Sequence, residues 1–475
     1  MRPLASRGRL TSAPLHEVVT LNGASNSSWP RSARTTRLDD RDDRLPIVMV
    51  CVAVAMIPLL NPKGPMNSAP VDVLLAPAIV MVMLWAGTVR AKVHVPYAIP
   101  AGALAATGLV AALAGNAPIT GASAVVQEAF LLAWCAAVVT VCRTPRALRT
   151  VVRTWCLSAT VWAFIVIGAV ITGQARVPGG NGGEGHRARI WFDHPNMAGN
   201  YFLVAFFMVL ATRQPRRPWA RTIALAALLV AILLTGSNSA MSILPVGGLI
   251  IIFLRIWGRR GPIPAIAVSL CLVILGGAIW AVVAQPVVAS IQESDNPIVR
   301  HSVGRGERSA SARASLFESQ YEVFQDGPLV GIGPSATRQE LEGRRAGVAK
   351  TAHNDYLATL VERGPLGVAA LVALMMAVSV RLLSALHLPP EWASVVPNPG
   401  ALVAAAVGFA VTAITHEVLH YRHMWTFFAV LGVLHLAHAV ETPSWANRHS
   451  RNSPDHVLTV APEDPVAARF GEGSH

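Results

Sequence analysis

Charge and cysteine are what this chain has little of. Only 14% of its 475 residues are charged, against about 25% in an average soluble domain. Hydrophobic residues make up 53%, and mean hydropathy is +0.47. A soluble chain of this length would fold as several domains of roughly 100–200 residues, and could not hide that much apolar surface. Disorder requires low hydrophobicity, so it is excluded for the chain as a whole. The cysteines Cys51, Cys135, Cys142, Cys156 and Cys271 lie in or beside apolar runs and form no CxxC pair. That excludes a disulfide scaffold and leaves small packing residues. No P-loop pattern is present, and no pattern of a cleaved signal peptide opens the chain.

What is there is a series of apolar runs, each near the ~20 residues a helix needs to cross a bilayer. The expected spans are 45–61, 70–89, 95–115, 123–142, 151–173, 196–212, 219–236, 239–256, 262–285, 364–382, 400–418 and 424–440. The fold expected is therefore all-α and polytopic, with about 12 transmembrane helices. Residues 1–44 read as a basic, disordered cytoplasmic tail, 45–441 as the membrane domain, and 442–475 as a second disordered cytoplasmic tail. Two long polar interruptions, 174–195 and 286–353, divide the spans.

The net charge of +13 sets the orientation. With the amino terminus in the cytoplasm, alternate short loops carry Arg90 and Lys92; Arg143, Arg146 and Arg149; Arg213, Arg216, Arg217 and Arg221; Arg255, Arg259 and Arg260; and Arg381. Of the opposite short loops, the first holds only Lys63 and 115–122 has no charge. The positive-inside rule then places both tails inside and both long loops outside. The expected location is a membrane, and the partner on every side is the lipid bilayer rather than nucleic acid.

The outer loops nevertheless carry arginine, including Arg187, Arg189, Arg313, Arg338 and Arg344. An anionic ligand at the membrane surface is one reason; pairing with loop acids or interfacial anchoring is the other. The first loop ends RARIWFDHPNMAGNYF, with Pro195 and Asn196 at a helix start. The second holds RASLFESQYEVFQDGPLVGIGPS, in which Leu316, Phe317, Tyr321 and Phe324 recur at helical spacing, as in an interfacial amphipathic helix. It closes with HNDYLATLVERGPLG, where His353 stands just before a helical pattern. Its imidazole can accept a proton near neutral pH, and a lone interfacial histidine is also common as structure.

These three segments together resemble the O-antigen ligase/O-antigen polymerase family of bacterial membrane glycan transferases. The first matches at Arg187, Phe192, Pro195 and Asn196, with Ile190 where glycine is usual. The second matches at Arg313, Leu316, Phe317, Pro328, Leu329, Gly331 and Gly333. The third matches at His353, Asn354, Tyr356, Leu357, Glu362, Gly364 and Gly367. After the seventh span, Asn238 stands where relatives often have arginine. The resemblance implies a GT-C-like membrane fold and an external active site. The implied donor is a glycan on a polyprenyl diphosphate, and the acceptor a sugar hydroxyl on another glycan or a lipid. It further implies an inverting transfer with no metal or other cofactor. His353 would be the general base, Arg313 and Arg187 would hold the diphosphate, and Arg189, Asn196, Asn354, Tyr356 and Glu362 would line the substrates. Ligase and polymerase share these motifs.

Two other classes compete. His416-Glu417-Val418-Leu419-His420 is an HExxH pattern, and on a helix it could hold zinc in an intramembrane protease. A transporter of anions or glycans also suits twelve spans, although no internal repeat is visible.

Overall fold

The structure, a computed structural model, describes residues 44–61, 68–172, 188–189, 191–284, 290, 293, 306–344 and 354–441. Among them every regular element is a helix. In chain order these are α1 (Arg44–Ala55), α2 (Asp72–Thr88), α3 (Ala98–Ala114), α4 (Pro118–Val141), α5 (Pro145–Ile171), α6 (Pro195–Thr212), α7 (Pro218–Thr235), α8 (Asn238–Arg260) and α9 (Pro262–Ile279). Then come α10 (Gly306–Asp326), α11 (Thr337–Gly343), α12 (Asp355–Ala385), α13 (Pro390–Ala393), α14 (Gly400–Ala413) and α15 (Arg422–Glu441).

The starts of these helices follow from local chemistry. Proline opens α4, α5, α6, α7 and α9, where its missing N–H costs nothing and its fixed φ suits the first turn. Thr144, Ser237 and Asn354 cap the helices after them through side-chain oxygens. Gly236 and Gly261 take positive φ and close α7 and α8.

Each of the twelve apolar runs contains a helix, and among the described residues seven helices are long and apolar enough to cross a membrane. These are α4 to α9 and α12; α1, α2, α3 and α14 are shorter apolar helices. The 12 residues of α1 rise only about 18 Å, against about 30 Å of hydrocarbon. The protein is thus a multi-pass, all-α membrane protein.

Helix α6 is the centre. Its apolar window is 89% buried, whereas that of α9 is 0% buried. Helices α5, α7, α8 and α14 pack around α6, and α9 rests on α8 alone among the spans. A helix apolar on all sides and uncovered by protein is one that faces lipid. Elsewhere α12 lies against α3 and α15, and α15 lies against α4.

Two ion pairs staple this arrangement. Arg422 at the start of α15 is fully buried and donates to both carboxylate oxygens of Asp72 in α2, at 3.0 and 2.5 Å. Arg363 in α12 makes a forked contact with Glu128 in α4 and also donates to the Leu104 carbonyl of α3 at 2.7 Å. Such pairs are near neutral in net energy, but removing one partner strands a buried charge.

Candidate functional site

The second and third motifs form one interlocked unit. Helix α12 is broken at Gly364, which takes φ 65°, and Pro365 follows it without an N–H. The break frees the carbonyls of Val361 and Glu362, which an unbroken helix would occupy. The turn 328–335 fills both places: Ile332 donates to Val361 O at 3.1 Å and Gly333 to Glu362 O at 3.0 Å. The fit leaves no room for side chains on the glycines. A Cβ on Gly331 would lie 2.4 Å from the Glu362 carbonyl, and one on Gly364 would lie 1.9 Å from that of Leu329.

The Glu362 carboxylate completes the joint. It accepts from Thr337 Oγ1 at 2.7 Å and from the amides of Ser335 and Thr337, so it caps α11. Helix α10 then packs on α12 through Leu316 and Val323 against Leu357 and Val361, with Leu341 of α11 between them.

The start of α12 is fastened on its other side to the loop 414–421. Asn354 Oδ1 accepts from the amides of Tyr356 at 2.9 Å and Leu357 at 3.1 Å. Buried Asp355 accepts from the amides of Val418 at 2.7 Å and Leu419 at 3.3 Å. Tyr356 donates its hydroxyl to the Ala410 carbonyl at 3.0 Å. The same loop touches α6: the Asn196 amide nitrogen contacts His416 Nε2, and Asn200 bridges Thr412 at 3.1 Å and His423 at 2.8 Å.

This loop overturns the zinc-protease expectation. Helix α14 ends at Ala413, so His416, Glu417 and His420 lie in a turn and not on a helix face. The i, i+4 spacing that would align two imidazoles on one metal is absent, and His416 is instead spent on Asn196 and Thr415.

Between these elements lies a cleft of ≈ 490 Å³. Its wall is polar, with Glu128 and Gln127 from α4, Asp193 before α6, Asp355 and Glu362 from α12, and Glu417 and His420 from the loop 414–421. Burial lowers the His420 pKa to about 3, helped by the nearby Arg422 guanidinium, so its ring is neutral. At the foot of α6, Arg189 donates to the Asp193 carbonyl at 2.7 Å. Its Nε and Nη2 are buried and have no hydrogen-bond partner among the described residues.

A family model described as O-antigen ligase matches residues 223–372. Over those residues the chain is similar to O-antigen ligases, which supports that family. No curated protein matches the chain. The matched region runs from α7 into α12, so it contains the α10–α12 joint, with Arg313, His353 and Glu362 inside its limits. The match supports the O-antigen ligase/polymerase family, whose activity is in general of the glycosyltransferase type.

Of the residues expected at the site, Arg187 and His353 lie outside the described residues. Arg313 is described in backbone only, within α10. It stands one turn before Leu316, on the stripe of α10 that continues through buried Leu316, Gln320 and Val323. Glu362 lines the cleft, as does Asp355 between Asn354 and Tyr356. Asn196 and Arg189 belong to the neighbouring start of α6, outside the O-antigen ligase domain. Sequence reasoning passed over Glu128, Arg363 and Asp193. A carboxylate within the apolar run of α4 and a guanidinium at the head of α12 were the available signal, since such charges seldom sit in spans without a role.

Proposed function

We propose that the protein moves a glycan from a polyprenyl-diphosphate donor to a sugar hydroxyl at the outer face of a bacterial plasma membrane, with both termini cytoplasmic. His353 takes the proton of the acceptor hydroxyl. The resulting oxygen attacks the anomeric carbon of the donor, the bond from that carbon to phosphate breaks, and configuration inverts. Charge then develops on the leaving diphosphate, where Arg187, Arg313 and Arg189 supply forked, permanently charged donors. Asn196, Asn354, Tyr356 and Glu362 shape the surrounding wall. No metal or other cofactor takes part, and the acceptor is a glycan chain or a lipid-borne sugar.

The observation that carries this reading is the joint of the turn 328–335 with the α12 break, inside the O-antigen ligase domain. In it the helix that bears Arg313 packs on the helix that follows His353, and residues of the turn 328–335 and of α12 line one polar cleft. The two nitrogens of Arg189 that are buried and without a hydrogen-bond partner among the described residues support an anion at the foot of α6. An apolar groove of ≈ 170 Å³, lined by Leu371, Leu374, Val378, Phe409 and Phe428, begins at Asp355 and Tyr356 and suits an isoprenoid tail.

The test is transfer in a deletion strain complemented with Arg313→Ala or His353→Ala. Each variant should insert normally and lose long surface glycan; near-wild-type glycan from either removes that residue from the mechanism. Chelation of divalent cations should leave turnover of the purified protein unchanged.

A further inference from the structure

The wall of the cleft selects what can enter it. Among the described residues it presents the carboxyl groups of Glu128, Asp193, Asp355, Glu362 and Glu417 against one guanidinium, Arg363. That guanidinium is already committed to Glu128. An anionic group entering this partly enclosed space would pass the Asp193 carboxylate at its edge and meet further carboxyl groups within. A hydroxyl could still be accepted there, because a carboxyl oxygen can take a hydrogen bond beyond those from Arg363, Thr337 and the amides of Val418 and Leu419.

The loop 414–421 adds a group of another kind. His420 lines the cleft, its edge against the Tyr421 ring with centroids 4.9 Å apart. Its ring nitrogens make no hydrogen bond among the described residues. A neutral imidazole donates from one nitrogen and accepts at the other, a pairing suited to a hydroxyl. Asp193 stands at the exposed edge of the cleft, where an incoming group would pass it.

We propose that this cleft is the acceptor subsite, that it takes a sugar end bearing hydroxyls and no anionic group, and that His420 positions that sugar. The inference rests on the transfer reading for the word acceptor, while the selectivity of the cleft stands on its wall.

The test is equilibrium binding to the full-length protein in detergent, without donor. The probes are maltotetraose and its counterpart with a terminal glucuronate. The neutral probe should bind about tenfold more tightly or better. Asp193→Asn should shrink that gap to about threefold or less. His420→Ala should weaken the neutral probe by about tenfold, and His420→Gln should recover part of the loss, with unchanged thermal stability in both. Equal binding of the two probes, or neutral-probe binding indifferent to His420→Ala, overturns the proposal. Discriminating binding without any glycan transfer would instead overturn the transfer reading and leave the subsite standing.

Discussion

Ile332 donates its amide to the Val361 carbonyl at 3.1 Å, in the place that Pro365 leaves empty in α12. A helix defect and a tight turn far from it in sequence thereby become one joint. The glycines of the two motifs serve that joint: Gly331, Gly333 and Gly364 all have positive φ. Their role is to hold α10, α11 and α12 together.

Gly364→Ala should therefore cost more than a helix glycine normally does. A backbone at φ 65° and ψ −172°, which glycine alone adopts readily, costs another residue about 1–3 kcal/mol, and the added methyl would collide with the Leu329 carbonyl. We expect a large fall in melting temperature in detergent, with a similar fall for Gly331→Ala. Gly248→Ala, where nothing lies within 4 Å of the new Cβ, should leave the melting temperature unchanged or raise it. Equal effects at the three positions would contradict the joint.

Glu128→Ala should destabilise the fold by about 3–5 kcal/mol, because it strands Arg363, whose side chain is only 7% exposed. The double variant Glu128→Leu/Arg363→Met should recover most of that loss, since replacing both charges removes the penalty together with the attraction. Unfolding midpoints of the two singles and the double give the coupling. Additive losses would show that the pair does not bind α4 to α12.

The neutral state of His420 gives stability a direction with pH. Its folded pKa, about 3, lies below the unfolded value near 6.5. Between these values the unfolded chain binds the extra proton, so the contribution of His420 is present above about pH 6.5 and is lost as pH falls towards 3. The slope is at most about 1.4 kcal/mol per pH unit. His420→Gln should flatten the melting-temperature profile below pH 6.5 relative to the unaltered protein. Parallel profiles would contradict an uncharged ring.

Much of the fold was legible because it is local. Pro118, Pro145, Pro195, Pro218 and Pro262 mark helix starts in the sequence, and the apolar runs between them are helices. Where the structure departs, a distant partner is responsible. The run 400–418 reads as one span, yet α14 stops at Ala413 because the amides of Val418 and Leu419 turn to Asp355. In α10, Leu316, Gln320 and Val323 are buried while Phe317 and Tyr321 are exposed. The turn of the buried stripe is set by α11 and α12, which spacing within α10 does not reveal. The joint between the motifs was invisible for the same reason: its hydrogen bonds link carbonyls freed in one segment to amides of another. Glu128 and Arg363 were visible singly, and only the packing of α4 on α12 shows them to be a pair.

Arg313→Lys separates charge from geometry. Lysine keeps the positive charge but loses the planar fork that matches a diphosphate. Transfer should fall by about tenfold or more, and Arg313→Ala by about 10²–10³-fold. Arg338→Ala, which removes an exposed i, i+4 pair with Glu342, should have no effect on transfer. Transfer rates of the purified proteins at saturating donor check the order.

The most direct test of the central claim is single-turnover transfer by the purified protein in lipid nanodiscs. A radiolabelled glycan on polyprenyl diphosphate is the donor, and unaltered protein is compared with His353→Ala. The account predicts that the variant binds donor as before and transfers glycan at least about 10²-fold more slowly. Transfer by His353→Ala at the unaltered rate would contradict it.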